Sequence, residues 1–169
     1  ELRETLLTQF ATHLMAARRF DEIIRRLQSP LARSGGLTAS LHFLLGLAHI
    51  ELKQFAEAAE QMCQCLAKRD QPALSPIHKN IRTAAPHHCL ALCLAARHQA
   101  KPASAAFLAA LASDPQSRPV RFDYARFLAE QSEPVEALQL LHQLVGEKAD
   151  EAPVWQLGGQ IALSRPEYA

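Results

Sequence analysis

Five small residues, Ala11, Gly46, Ala91, Ala125 and Gly159, sit in the middle of Leu-rich segments and are separated by 35, 45, 34 and 34 positions. Other columns keep those offsets. Ala58, Ala103 and Ala137 are 45 and 34 apart; so are Met62, Phe107 and Leu141, then Cys65, Ala110 and Leu144, then Leu66, Leu111 and Val145. A period of 34 that carries two amphipathic segments describes a helix-turn-helix unit. Such a unit can bury its apolar stripe only against the next copy, so the chain must stack into an array of helix pairs.

Composition agrees with helices throughout. Among 169 residues there are 30 Ala and 26 Leu against 15 Val, Ile and Thr combined, which argues against any substantial sheet. Caps and breakers place helices at roughly 2–17, 21–33, 39–52, 55–69, 86–98, 102–113, 118–131, 134–147 and 152–163. Thr38, Ser117 and Ser132 are the expected N-caps, Pro102, Pro119 and Pro134 fall in first turns, and Gly35-Gly36 and Asp114-Pro115 mark turns between units.

With these columns in place, the chain resembles the tetratricopeptide repeat family, whose motif runs W-x2-LG-x2-Y, then A-x3-F, then Ala and Pro. The second unit supplies Leu45-Gly46, Phe55, Ala58, Met62 and Cys65; the third Leu90-Ala91, Ala103, Phe107, Ala110 and Asp114-Pro115. The fourth has Tyr124-Ala125, Leu128, Ala137 and Leu141, and the fifth begins with Trp155 and Gly159. The first, with Ala11, Leu14, Phe20 and Leu27, is the most degenerate and carries Ile23 where the others have Ala. The resemblance implies an all-α, right-handed α-solenoid of antiparallel helix pairs. It is expected as a single array over 1–169, with units about 4–37, 39–70, 84–117 and 118–151 and a partial unit 152–169.

One departure breaks the period. The spacing between the second and third units is 45 rather than 34 while offsets inside each unit hold, so eleven extra residues lie in the connection, at about 70–85. Ser75-Pro76 can cap and start a short helix in which Ile77 and Ile81 share a face, which predicts a docked turn. Charge is polarised at the same place. Residues 68–101 hold six Lys or Arg and one acid, residues 102–169 five basic residues and nine acids, and the whole chain has net charge +1. His78, Lys79 and Arg82 in the insertion are therefore candidates to meet an anionic ligand or acidic partner surface; the alternative is a solvated connector whose charges keep it soluble. A near-neutral total excludes a general nucleic-acid surface.

Several catalytic and metal signatures are absent. His87-His88-Cys89 with Cys93 one turn on lacks the spacing of known zinc cages, and Cys65 stands in a core column with Ala110 and Leu144. The glycine pairs 35–36 and 158–159 are not followed by the Lys and Ser or Thr of a phosphate loop, and there is no nucleophile elbow. No catalytic residue, metal or cofactor is expected. Four cysteines within helical patterns favour buried thiols in a reducing cytoplasm, and no apolar run approaches the ~20 residues that span a bilayer.

The remaining candidate is the groove lined by the first helix of each unit. The 45 and 34 offsets place Phe43, His88, Phe122 and Gln156 in one row, Leu47, Leu92, Arg126 and Gln160 in a second, and Ile50, Ala95, Ala129 and Leu163 in a third. A largely apolar lining suits a peptide or an amphipathic helix; neighbouring helices or further chain could equally fill it. Leu47 and Leu92 stand where members of the family that clamp a terminal carboxylate use Lys and Asn.

A finer resemblance runs from Cys65-Leu66-Ala67 through Ser75-Pro76-Ile77-His78-Lys79 to Pro86-His87-His88-Cys89-Leu90-Ala91, then Arg121 to Leu128 and Gly158 to Leu163. These segments look like the repeat regions that follow the catalytic domain in bacterial family 2 glycosyltransferases. That implies a non-catalytic scaffold accompanying a catalytic domain that is not in this chain, with the catalytic domain or another protein as partner. A sequence opening on Glu1-Leu2-Arg3 reads as a piece of a longer protein. The alternative is a stand-alone adaptor that binds a peptide in its groove.

Overall fold

A computed structural model describes residues 2–71, 79–148 and 151–164. The described residues are helical and form two compact units, Glu1–Ser113 and Asp114–Ala169, divided at the Asp114-Pro115 turn. The first contains α1 (Leu2–Ala16), α2 (Phe20–Leu27), α3 (Pro30–Arg33), α4 (Ala39–Glu51), α5 (Phe55–Lys68), a 3-10 turn (Lys79–Arg82), α6 (Ala85–Ala96) and α7 (Ala100–Ser113). The second contains α8 (Arg118–Glu130), α9 (Pro134–Glu147) and α10 (Ala152–Leu163). In the first unit α4 packs against α1, α2, α5 and α6, and α6 against α5 and α7; in the second, α8 packs on α9 and α10 on both.

Most columns read from sequence are core, but Leu66, Leu111 and Val145 are only half-buried and Gly159 is exposed, because α10 has no following helix among the described residues. Ala58, Ala103 and Ala137 have no exposed surface, nor do Met62 and Phe107, and Leu141 is buried with them. Ala11, Gly46, Ala91 and Ala125 are buried as well, and the reason for a small side chain is visible at Gly46: an added Cβ would stand 2.7 Å from the Met62 methyl and 3.3 Å from Gln61 Cβ. Ile23, in place of Ala, is fully buried with Leu27, Leu41, Leu44 and Leu45. Its larger side chain fills the space between α2 and α4.

Each described helix pair reverses through the same turn. Arg18, Lys53, His98 and Ser132 have φ of 56°, 59°, 57° and 61°, so the left-handed residue recurs at spacings of 35, 45 and 34 although its type never repeats. The next residue sends its N–H five positions back: Arg19 to Leu14 O, Gln54 to His49 O, Gln99 to Leu94 O and Glu133 to Leu128 O, at 2.9–3.0 Å. This is the Schellman C-terminal motif. The carbonyl of that same residue then accepts from the first turn of the following helix, as in Ala58 N–H to Gln54 O at 3.0 Å and Ala103 N–H to Gln99 O at 3.0 Å.

Three local expectations are corrected. The helix expected over 21–33 is two helices, α2 and α3, because Pro30 lacks a donor and Ser29 caps the new start, its Oγ accepting from Ala32 N–H at 3.3 Å. Ser132 does not cap α9: it occupies the left-handed turn position, and Glu133 precedes the helix. Cys63 is exposed rather than buried, since it lies off the face that carries Met62 and Cys65. The docked turn expected in the insertion is present at Lys79–Arg82, with Ile81 fully buried; the expected start at Ser75-Pro76, Ile77 and His78 lies outside the described residues.

A left-handed L-residue costs roughly 1–2 kcal/mol that glycine does not incur, less the entropy glycine adds to the unfolded chain. Lys53→Gly and Ser132→Gly should therefore each stabilise the protein by about 0.5 kcal/mol, read as a higher denaturant midpoint with unchanged slope. A lower midpoint for both would contradict the strain.

Candidate functional site

A candidate surface among the described residues belongs to the second unit. Two depressions open there along α8 and α10. The larger, ≈ 650 Å³, is bounded by Arg126 and Glu130 of α8 and by Leu157, Gln160 and Ile161 of α10, with Ser132 and Pro134 at the turn between α8 and α9. The smaller, ≈ 460 Å³, is mostly apolar, lined by Pro119, Phe122, Leu144, Pro153 and Val154 with Arg118 and Glu151 at its rim.

A charged clamp holds this unit together. Arg121 is buried at 5% exposure, and its guanidinium forks onto Glu147 of α9, with Nη1 donating to Oε1 at 2.7 Å and Nη2 to Oε2 at 2.9 Å. Nη2 also donates to Gln116 O at 3.0 Å. Arg118 donates to Glu147 Oε2 and Glu151 Oε2, each at 2.8 Å, and to Leu144 O at 3.2 Å. One carboxylate thus receives two guanidinium groups, a planar bidentate arrangement well matched to arginine. The Arg121 hydrogen bond, with Arg118 behind it, holds the Glu147 carboxyl below the usual carboxylate range. The clamp ties the start of α8 to the end of α9 and, through Glu151, to the start of α10, so the walls of the smaller depression are fixed before any partner arrives.

The first unit has a polar contact at the same repeat position. Lys68 lies 26 residues after His42, as Glu147 does after Arg121. Lys68 Nζ donates to His42 Nε2 at 3.2 Å and to Leu37 O at 2.8 Å. An ammonium can only donate, so Nε2 is the acceptor and the proton sits on Nδ1, which donates to Gln61 Oε1 at 2.8 Å. Burial, aided by the Lys68 charge, lowers the His42 pKa and keeps the imidazole neutral.

The residues expected to line one groove separate into two groups. Phe43 is not a groove residue: it is 2% exposed and packs with Ala39, Met62, Cys65 and Ile81, because the inserted turn lies over it. Leu47 and Ile50 are half-buried against that same cluster. His88 and Leu92 are half-buried on α6, the His88 ring 6.2 Å from that of Phe107. In the second unit Phe122 lines the smaller depression, while Arg126 and Gln160 both line the larger one, and Arg126 pairs with Asp123 at 2.6 Å. Gln156 is exposed and lines neither. Of the basic insertion, Arg82 is exposed, Lys79 begins the 3-10 turn, and His78 lies outside the described residues.

Sequence reasoning missed Arg118, Arg121, Glu147 and Glu151. The repeat offers one signal, that Arg121 falls at the position of His42, whose ring contacts Gln61 and Lys68 on the second helix of its unit. The cysteines make no reactive centre. Burial pushes the Cys89 thiol up to about 12 and those of Cys65 and Cys93 up to about 11. Among the described residues, no group of three His, Cys, Asp or Glu side chains is placed to hold a metal. No helix there is long and apolar enough to cross a membrane.

Residues 93–161 match the family model described as tetratricopeptide repeat. The fold is also that of solved repeat proteins. A crystal structure of MamA superposes with a TM-score of 0.77 at 13% identity, covering 95% of this chain and 81% of that one. YrrB, whose structure is described as a tetratricopeptide repeat protein with an unusual peptide-binding site, gives 0.69 at 16% identity over 93% of this chain and 75% of that one. The C-terminal part of a tetratricopeptide repeat-containing protein from Cytophaga hutchinsonii gives 0.72 at 12% identity, covering 92% and 57%. The sequence matches no curated protein. The tetratricopeptide repeat match thus covers residues 93–161, and the described residues have the all-α helical repeat fold of these solved structures.

The clamp makes a pH prediction. A carboxylate whose folded pKa is depressed contributes stability that is present above its unfolded value and lost as pH falls toward the folded one. Stability should fall on acidification through the carboxylate range, and Glu147→Gln should lower stability at pH 7 while flattening that slope. Denaturant titrations at several pH values check this; parallel pH profiles for the two proteins would refute it.

Proposed function

We propose that this chain is a non-catalytic protein-interaction module that binds a peptide or amphipathic helix of another protein along α8 and α10. The observation that carries the reading is the pair of depressions of ≈ 650 and ≈ 460 Å³ along α8 and α10, which Phe122, Arg126 and Gln160 help to line. The smaller depression is mainly apolar and the larger carries Arg126, Glu130 and Gln160, a combination of apolar and polar surface that seats an amphipathic segment. YrrB, similar in fold, is described as having a peptide-binding site, which supports the class of ligand. In the first unit, half-buried His88 and Leu92 and the exposed cation Arg82 are candidate contacts in their own right, and Lys79 starts the same 3-10 turn of the basic insertion as Arg82. Thiols held protonated by burial suit a reducing compartment, and the cytoplasm is the proposed location.

The narrower parentage, a repeat region accompanying a family 2 glycosyltransferase catalytic domain, rests on the quoted sequence segments alone. It makes that domain the partner. The reading frame upstream of Glu1 tests it: a nucleotide-sugar domain with metal-binding carboxylates supports it, and any other sequence rejects it.

For the interaction face itself, a photo-crosslinking amino acid at Gln160 should form a covalent adduct with a protein partner in cells. The same group at exposed Leu108 or Val135 should not. Equal adducts from all three positions, or none from Gln160, would reject the face.

A further inference from the structure

The inserted turn and the smaller depression occupy equivalent places in two repeats. Ile81 is fully buried in a cluster with Ala39 and Phe43 of α4 and Cys65 of α5, and Ala85 of α6 packs on it. Moving forward by the repeat offsets, 79 residues for α4 and α5 and 68 for α6, those four positions become Arg118, Phe122, Leu144 and Pro153. All four line the ≈ 460 Å³ depression of the second unit. One side chain of a short 3-10 turn therefore fills in the first unit a site that stands open in the second. Position 149, the sequence equivalent of Ile81 by the same offset, is alanine.

From this equivalence, and resting on the interaction face proposed above, we infer that the open depression is a socket for one branched aliphatic side chain, Ile, Leu or Val, presented by a partner on a short helical turn. The occupied copy shows what such a site accepts. Its lining is apolar in both units, Phe43 and Phe122 giving the aromatic wall and Cys65 and Leu144 the floor. The second copy differs at its rim, where Arg118, held by Glu147 and Glu151, replaces Ala39. A rim already neutralised by its own ion pairs leaves apolar contact as the attraction, so the partner is recognised by shape and hydrophobic burial rather than by a charge. The walls are held by the Arg121–Glu147 fork, which spares the partner the cost of ordering them.

The test uses the full chain and a synthetic peptide. The probe is an acetylated, amidated peptide with the sequence of residues 79–85, Lys-Asn-Ile-Arg-Thr-Ala-Ala. Titrated into isotopically labelled protein, it should give saturable NMR shifts at the Leu144 and Val154 methyls and the Phe122 ring. Replacing the peptide's Ile81 by Ala should weaken binding roughly tenfold. Phe122→Ala in the protein should remove the shifts; because that variant could loosen the unit, Pro153→Arg at the exposed lip provides a second block. Shifts absent up to the solubility limit of the peptide, confined to the surroundings of Phe43, or identical for the Ala peptide would overturn the socket. Failure here with a persisting Gln160 crosslink would leave the interaction face standing and remove only the aliphatic turn as its ligand.

Discussion

Every helix pair here turns back through a residue in the left-handed conformation, which an L-side chain occupies at a cost, and the rest of the structure follows from that reversal. The turn brings the second helix against the first at one register, so the small residue Gly46 meets Met62 and Gln61 of α5. A single backbone unit, such as Gln54, donates to the helix behind and accepts from the helix ahead. Two helices thus share one pivot, and a displaced turn would move all the core columns together. Arg, Lys, His and Ser at this position show that backbone hydrogen bonds and packing, not side-chain preference, impose the conformation.

With the register set, positions 26 residues apart face each other in the α4–α5 and α8–α9 pairs, and the chain uses this in two ways. His42 and Lys68 make a buried contact of a neutral ring with an ammonium, whereas Arg121 and Glu147 make a forked ion pair. The consequences differ. The first sits within a helix surrounded on several sides and only satisfies buried polar groups. The second is extended by Arg118 and Glu151 into the rim of an open depression, so the same structural position becomes part of a candidate binding surface.

The insertion acts at the same level. Eleven residues beyond the period break no helix and disturb no column, because they enter in the connection, where chain length is tolerated. Their described part folds onto α4 and α6 and covers Phe43. Phe43, one of the first unit's expected groove residues, is thereby converted into core. Phe122, at the equivalent position of the second unit, lines an open depression instead.

The helical class, the period, the two-helix unit and the core columns were legible in the residues, because burial against a repeating neighbour imposes the same side-chain size every 34 positions. Ala58, Ala103 and Ala137 could be named as core from spacing alone. The groove rows were legible only in part, since spacing says which face a side chain occupies but not what else will lie on that face. Phe43 and Phe122 hold the same repeat position; one is covered by Ile81 and the other opens to a depression. Likewise no local pattern marks Arg121 as the partner of Glu147, because the forked bond needs the α8–α9 distance, which exists only after packing. Periodicity is a property of one chain read against itself, and sequence determined it; accessibility and pairing depend on what the rest of the chain places alongside, and only the tertiary structure could decide them.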